Sequence, residues 1–140
     1  MSLSIRNQLP ATVVSVTPGE AMATVQGRLS GGQMVTAAVT MSAVKELGIG
    51  EGSEVTALAK ATEVALATGE VSGLSIRNRF PGTVTRLTLG AAMATVVIAI
   101  GGDQELTAAI TQDAAAALGL AEGSRVTALI KSTEVSLATA

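Results

Sequence analysis

Residues 11–48 read ATVVSVTPGEAMATVQGRLSGGQMVTAAVTMSAVKELG, and the way this stretch changes its period decides the fold class. Its opening, Ala11-Thr12-Val13-Val14-Ser15-Val16, is β-branched and runs into Pro18-Gly19, so it reads as a strand entering a hairpin. A second strand is expected over about residues 21–29, stopped by Ser30-Gly31-Gly32, and a third over about residues 34–39. The pattern then turns helical. Thr40 stands where an N-cap belongs, MSAVKEL over 41–47 sets Val44 and Leu47 three residues apart, and Gly48 supplies a stop, which predicts one short helix. Beyond the turn Gly50-Glu51-Gly52-Ser53, strands are expected over residues 54–60 and 63–67. Five strands with a helix between the third and fourth is the element order of a small OB-like barrel, so the chain is read as mainly β.

The same order then recurs. LSIRN at 3–7 returns at 74–78, and a shift of 71 positions aligns residues 3–69 with 74–140 without a gap, about 38 of the 67 pairs being identical. QDAAAAL followed by Gly119 repeats the helix and its stop. Two tandem five-stranded OB-like units are therefore expected, over residues 1–69 and 74–140, with a short Gly-bearing linker at 70–73. A unit of about 67 residues lies near the lower limit for an independent core. Burial between units, and oligomerisation, are expected to make up the deficit.

Composition removes whole classes of function. With one Phe and no Trp or Tyr among 140 residues, the core rests on Val, Ala, Leu and Ile, and no aromatic platform exists for stacking nucleic-acid bases. A net charge of -2 gives no basic footprint for duplex DNA. The absence of His and Cys removes imidazole bases, thiol nucleophiles, zinc fingers, iron-sulfur ligation and disulfides together. No secretory pattern opens the chain, so the cytoplasm is the expected location. No apolar run reaches the roughly 18 to 20 residues of a membrane-spanning helix, and no membrane partner is expected.

The charged positions common to both units are Arg6 and Arg77, Lys60 and Lys131, Glu63 and Glu134, and Glu51 and Glu122. Glu51 lies in a Gly turn and reads as a solvated loop residue, not as half of a catalytic carboxylate pair, so no enzyme is predicted. SGGQ and PGEA lack the Lys-Ser/Thr ending of a phosphate-cradling loop. Two segments remain. Ser4-Ile5-Arg6-Asn7 and Ser75-Ile76-Arg77-Asn78 crowd hydroxyl, guanidinium and amide donors into four residues. Lys60-Ala61-Thr62-Glu63 and Lys131-Ser132-Thr133-Glu134 offer ammonium, hydroxyl and backbone N–H groups in a turn between strands. The plain structural alternative makes the first a polar strand start with Arg paired to Glu, and the second a solvated turn. Both segments occurring twice, in a chain without other chemistry, point to anion binding.

The opening segment resembles the S-A-R-N motif of the molybdate-binding Mop domain, and K-[AS]-T-E-V resembles that domain's closing segment. The likeness runs from Leu3 to Ala140 and is to a tandem, two-domain molbindin. It implies an OB-like barrel in each half, three chains about a three-fold axis, and molybdate or tungstate held at interfaces, with no cofactor and no direct ligand to the metal. A tetrahedral dianion without protons near neutral pH needs only donors, which suits a chain lacking His and Cys. The resemblance maps one class of interface site onto Ser4, Arg6 and Asn7 with Lys60, Ala61 and Thr62, and onto Ser75, Arg77 and Asn78 with Lys131, Ser132 and Thr133. On this mapping Arg6 and Arg77 give backbone N–H groups while their side chains brace the site.

A second, axial class of site in the family falls on the turn after the first strand, at Glu20, Ala21 and Met22 and at Ala91, Ala92 and Met93. Here the chain departs from the pattern, which often carries Asn where Met22 and Met93 stand. A Met side chain donates no hydrogen bond, so only backbone donors remain, and Met22 and Met93 read as core residues. Glu20 adds like-charge repulsion in the first copy alone.

Two function classes follow. One is a non-catalytic cytoplasmic protein that stores or buffers molybdate; the other is an oxyanion-sensing module of a molybdate-responsive regulator or transporter. The chain opens at the first motif and closes at the last, with no helix-turn-helix or Walker A segment, so the stand-alone binder is the expected one.

Overall fold

The computed structural model describes residues 2–139; Met1 and Ala140, the outer limits of the two expected units, lie outside them. The first repeat forms β1 (Asn7–Pro18), β2 (Met22–Leu29), β3 (Met34–Thr40), α1 (Met41–Leu47), β4 (Glu54–Ala59) and β5 (Ala65–Ala67). The second forms β6 (Asn78–Leu89), β7 (Met93–Gly101), β8 (Gln104–Thr111), α2 (Gln112–Ala117), β9 (Arg125–Ile130) and β10 (Ser136–Thr139). A 3-10 turn precedes each closing strand, at Ala61–Glu63 and Ser132–Glu134. The fold is mainly β, in two five-stranded curled sheets, with a short helix after the third strand of each repeat.

Local chemistry explains the elements. Thr40 Oγ1 accepts from Ala43 N at 3.1 Å and caps α1, and Gly48 ends the helix in the left-handed region at φ 66°, where a Cβ is costly. Thr111 caps α2 in the same way through Ala114 N at 3.0 Å. Along β2 every second residue is buried, so Ala23, Val25, Gly27 and Leu29 face inward. The long first strand of each repeat carries a bulge, between Val13 and Ser15 in β1 and between Val84 and Arg86 in β6. The bulge bends the strand, so that β1 pairs with β4 through its first half and with β2 through its second.

The strand order departs from two self-contained units. The sheets run β10-β4-β1-β2-β3 and β5-β9-β6-β7-β8. Each repeat thus gives its last strand to the other's sheet: β10 pairs with β4 through Leu137 opposite Ala57, and β5 pairs with β9 through Leu66 opposite Ala128. One hydrophobic cluster spans both halves, from Leu9, Val13 and Val25 to Phe80, Ile98 and Leu106.

The halves differ inside by compensating changes. Where the first has Leu9, Ala11 and Gly27, the second has Phe80, Gly82 and Ile98. A Cβ on Gly82 would meet Ile98 Cγ2 at 2.6 Å and press still closer on the Ala99 carbonyl, so the larger Ile is accommodated by the missing methyl. The β2-β3 and β7-β8 turns also abut. Gln33 Nε2 donates to Ile100 O at 2.6 Å, Gln104 Nε2 donates to Ser30 Oγ at 2.9 Å, and Gly102 lies so near Gly31 that no Cβ fits between them.

Candidate functional site

The opening and closing segments of each repeat meet. Ser4, Ile5 and Arg6 line one cavity with Lys60, Ala61 and Thr62, with a volume of about 230 Å³. Ser75, Ile76 and Arg77 line a second with Lys131, Ser132 and Thr133, of about 270 Å³. The two linings occupy equivalent positions of the repeat. Each is lined by a lysine, an arginine and hydroxyl-bearing residues, and neither lining includes an acidic residue.

Each cavity is held by the opposite half. The 3-10 turn of the first repeat packs on β8, and that of the second on β3. Asn7 and Asn78 fasten the opening segments to the same two strands. Asn7 Oδ1 accepts from Thr107 N at 2.7 Å and its Nδ2 donates to Thr107 O at 2.9 Å. Asn78 Oδ1 accepts from Thr36 N at 2.7 Å and its Nδ2 donates to Thr36 O at 2.8 Å. The backbone partners fix the amide orientation without ambiguity. Among the described residues these two side chains, 2% and 1% exposed, are the buried polar ones. The side-chain amides expected to face an anion are engaged with a neighbouring strand instead, and neither residue is among those lining these two cavities.

The arginines also act on the chain itself. Arg6 Nε donates to Ser4 O at 3.2 Å and its Nη2 to Leu3 O at 3.1 Å, and Arg77 repeats this with Ser75 O at 3.3 Å and Leu74 O at 3.0 Å. The guanidinium therefore curls the opening segment by binding its carbonyls, where the plain structural alternative paired it with Glu.

The axial positions look different. Glu20, Ala21 and Met22, and Ala91, Ala92 and Met93, all stand exposed. Met22 and Met93 are each 47% exposed as the first residues of β2 and β7, which corrects their reading as core. The strand alternation that buries Ala23 and Ala94 turns the preceding residue outward. The carbonyls of Ala21 and Ala92 accept from Met41 N at 2.9 Å and Gln112 N at 2.8 Å, which fixes the turns against the helix starts.

Residues not singled out as donors also take part in these cavities and their supports. Ile5 and Ile76 line the cavities, and Thr36 and Thr107 supply the backbone that anchors the asparagines. Gln8 and Arg79, two residues past each motif arginine, brace the same loops. Two larger hollows lie elsewhere, of about 750 Å³ beside Arg28 and Glu54 and of about 400 Å³ beside Arg125 and Gly69. The two hollows fall on equivalent positions of the repeat, but Glu54 in one is replaced by Arg125 in the other, so they do not repeat one charge. Among the described residues, no group of three or more Asp or Glu gathers where a metal ion could be held, and no helix is long and apolar enough to cross a membrane.

Two interlocked β repeats, each with a cavity lined by lysine, arginine and hydroxyl-bearing residues of its own opening and closing segments, define a tandem-repeat β module. The chain belongs to the TOBE-domain family, whose model matches residues 3–66 and 74–137. It is 41% identical over 139 residues to the molybdenum-pterin-binding protein MopA of Rhodobacter capsulatus, covering 99% of this chain and 52% of that protein. It is also 41% identical over 66 residues to molybdenum-pterin-binding protein 2 of Clostridium pasteurianum, covering 47% of this chain and 97% of the relative. Its fold superposes on the molybdate-bound crystal structure of the cytoplasmic molybdate-binding protein ModG with a TM-score of 0.97, at 37% identity and full coverage of both chains. The chain spans about half the length of the longer curated relatives it matches.

Proposed function

We propose that the chain is a non-catalytic cytoplasmic protein that binds molybdate, and tungstate in the same sites, to store or buffer the anion. The observation that carries this reading is the pair of equivalent cavities, each joining Lys, Arg and hydroxyl groups in a lining without a carboxylate. A proton-free tetrahedral dianion is matched by donors alone. The likeness to ModG and to MopA supports the choice of anion, and the description of ModG as cytoplasmic supports the location.

The cavities lie at the surface, and each is completed in this reading by a neighbouring copy in a homotrimer. Exposed apolar residues support such assembly: Leu89 is 56% exposed, Met22 and Met93 are 47%, and Leu3 and Leu74 are 36% and 39%. Ser4, Arg6, Lys60, Ala61 and Thr62, with Ser75, Arg77, Lys131, Ser132 and Thr133, form the interface sites. Asn7 and Asn78 position them.

Isothermal titration tests the proposal. Molybdate is expected to release heat with several anions bound per oligomer, and sulfate and phosphate are expected to release little. A rigid donor cage discriminates by size, and phosphate at neutral pH carries a proton that sets a donor against a donor. Replacing Lys60 and Lys131 with Ala should weaken molybdate binding by about one to two decades, the worth of a charge-assisted hydrogen bond, and leave thermal melting nearly unchanged. Equal heats for sulfate and molybdate refute the reading.

A further inference from the structure

The geometry points to unequal sites: the second-half cavity is the tighter oxyanion site, and Arg79 and Ser132 set the difference. This inference rests on the oxyanion reading of the same two cavities. Most of the linings match across the repeat, as Ser4 with Ser75, Arg6 with Arg77, Lys60 with Lys131 and Thr62 with Thr133. Glu63 and Glu134, and Glu51 and Glu122, are acidic in both halves, so their fields cancel in the comparison. One lining position and one position beside the lining break the match, and both favour an anion in the second half.

The first is Gln8 against Arg79. Gln8 Nε2 donates to Ile5 O at 2.9 Å. Arg79 makes the same bond to Ile76 O through Nε at 3.0 Å and adds one through Nη2 to Leu74 O at 2.6 Å, the carbonyl that also receives Arg77. The loop shape is kept, but the second opening segment is wrapped by two guanidinium groups where the first has one. That places one more positive charge beside a site for a dianion.

The second is Ala61 against Ser132. Ser132 lines the second cavity, and its Oγ is shielded from solvent with no hydrogen-bond partner. A shielded hydroxyl without a partner carries a desolvation cost, which an acceptor oxygen reached by rotation about χ1 removes. Ala61 has neither the cost nor the donor. The extra charge and the extra donor arise from different elements and act in the same direction.

The halves supply the test, because each position already holds its counterpart in the same fold. Titration with sodium molybdate should resolve two classes of site in the parent, equal in number and differing by about tenfold or more in affinity. Arg79→Gln with Ser132→Ala should collapse them onto the weaker class. Gln8→Arg with Ala61→Ser should raise the weaker class to the tighter. Singly, Arg79→Gln should matter more at low salt than at high, since added salt screens a surface charge, whereas Ser132→Ala should matter equally at both. Thermal melting checks that both pairs fold, and either pair alone decides the question. One class of site in the parent, unmoved by both double variants, overturns the inference and leaves molybdate binding standing. No molybdate heat in any of the proteins removes the binding reading and the inference together.

Discussion

Asn7 and Asn78 each stand in for a rung of a β ladder, with a side-chain amide giving and taking the two hydrogen bonds that a neighbouring strand's peptide would have made. Removing one leaves a peptide N–H and a C=O of the opposite half without partners in a partly buried place. Asn78→Ala is therefore expected to lower stability by about 2–4 kcal/mol, read as a shift of the urea midpoint, with Asn7→Ala similar. An unchanged midpoint would show that the amides bridge nothing. The motif that holds these residues was legible because serine, arginine, lysine and threonine are donors wherever they point. The asparagine's task was not legible. An amide in a donor-rich segment reads the same whether it faces an anion or a strand, and Asn7 finds its partner 100 residues along the chain. Met22 and Met93 were misread for a related reason: an apolar side chain suggests burial, and only the strand register turns it outward.

Gly82 carries the packing difference between the two sheets. A methyl there would collide with Ile98 and the Ala99 carbonyl, so Gly82→Ala should destabilise by about 1–3 kcal/mol through overpacking, seen as a lower melting temperature. The equivalent Ala11 already tolerates its methyl because it faces Gly27, and Ala11→Gly should cost only about 0.5–1 kcal/mol. Similar losses at the two positions would contradict the compensation. Most elements were readable locally. Helix α1 occupies residues 41–47 as its cap and glycine stop predict, while β1 starts four residues earlier than its β-branched run and the closing strand is shortened by a 3-10 turn. Which sheet the closing strand joins was not readable. TEVALAT and TEVSLAT fit a sheet edge equally well, so near-identity of the repeats erases the signal that would tell home from neighbour.

The whole chain has a small, aromatic-poor core for its surface, and its apolar outer residues are expected to be covered in solution. Light scattering at micromolar concentration should give about three times the 13.9 kDa chain mass, and a monomeric mass would remove the interfaces on which the proposed sites depend. The reciprocal loan of β5 and β10 makes the chain a dimer of one repeat with its dissociation abolished. A protease that nicks the tether between Ala67 and Asn78 should yield two fragments that migrate together on a native gel and part only in denaturant, since each is stitched into the other's sheet. Either repeat made alone has a sheet edge to fill and a near-copy of the missing strand to fill it with, so it should pair with itself. Fusing two such repeats through a short tether sets the effective concentration of the partner strand at about a millimolar, whatever amount of protein is made. Dilution, which dissolves ordinary partnerships, has no purchase on this one.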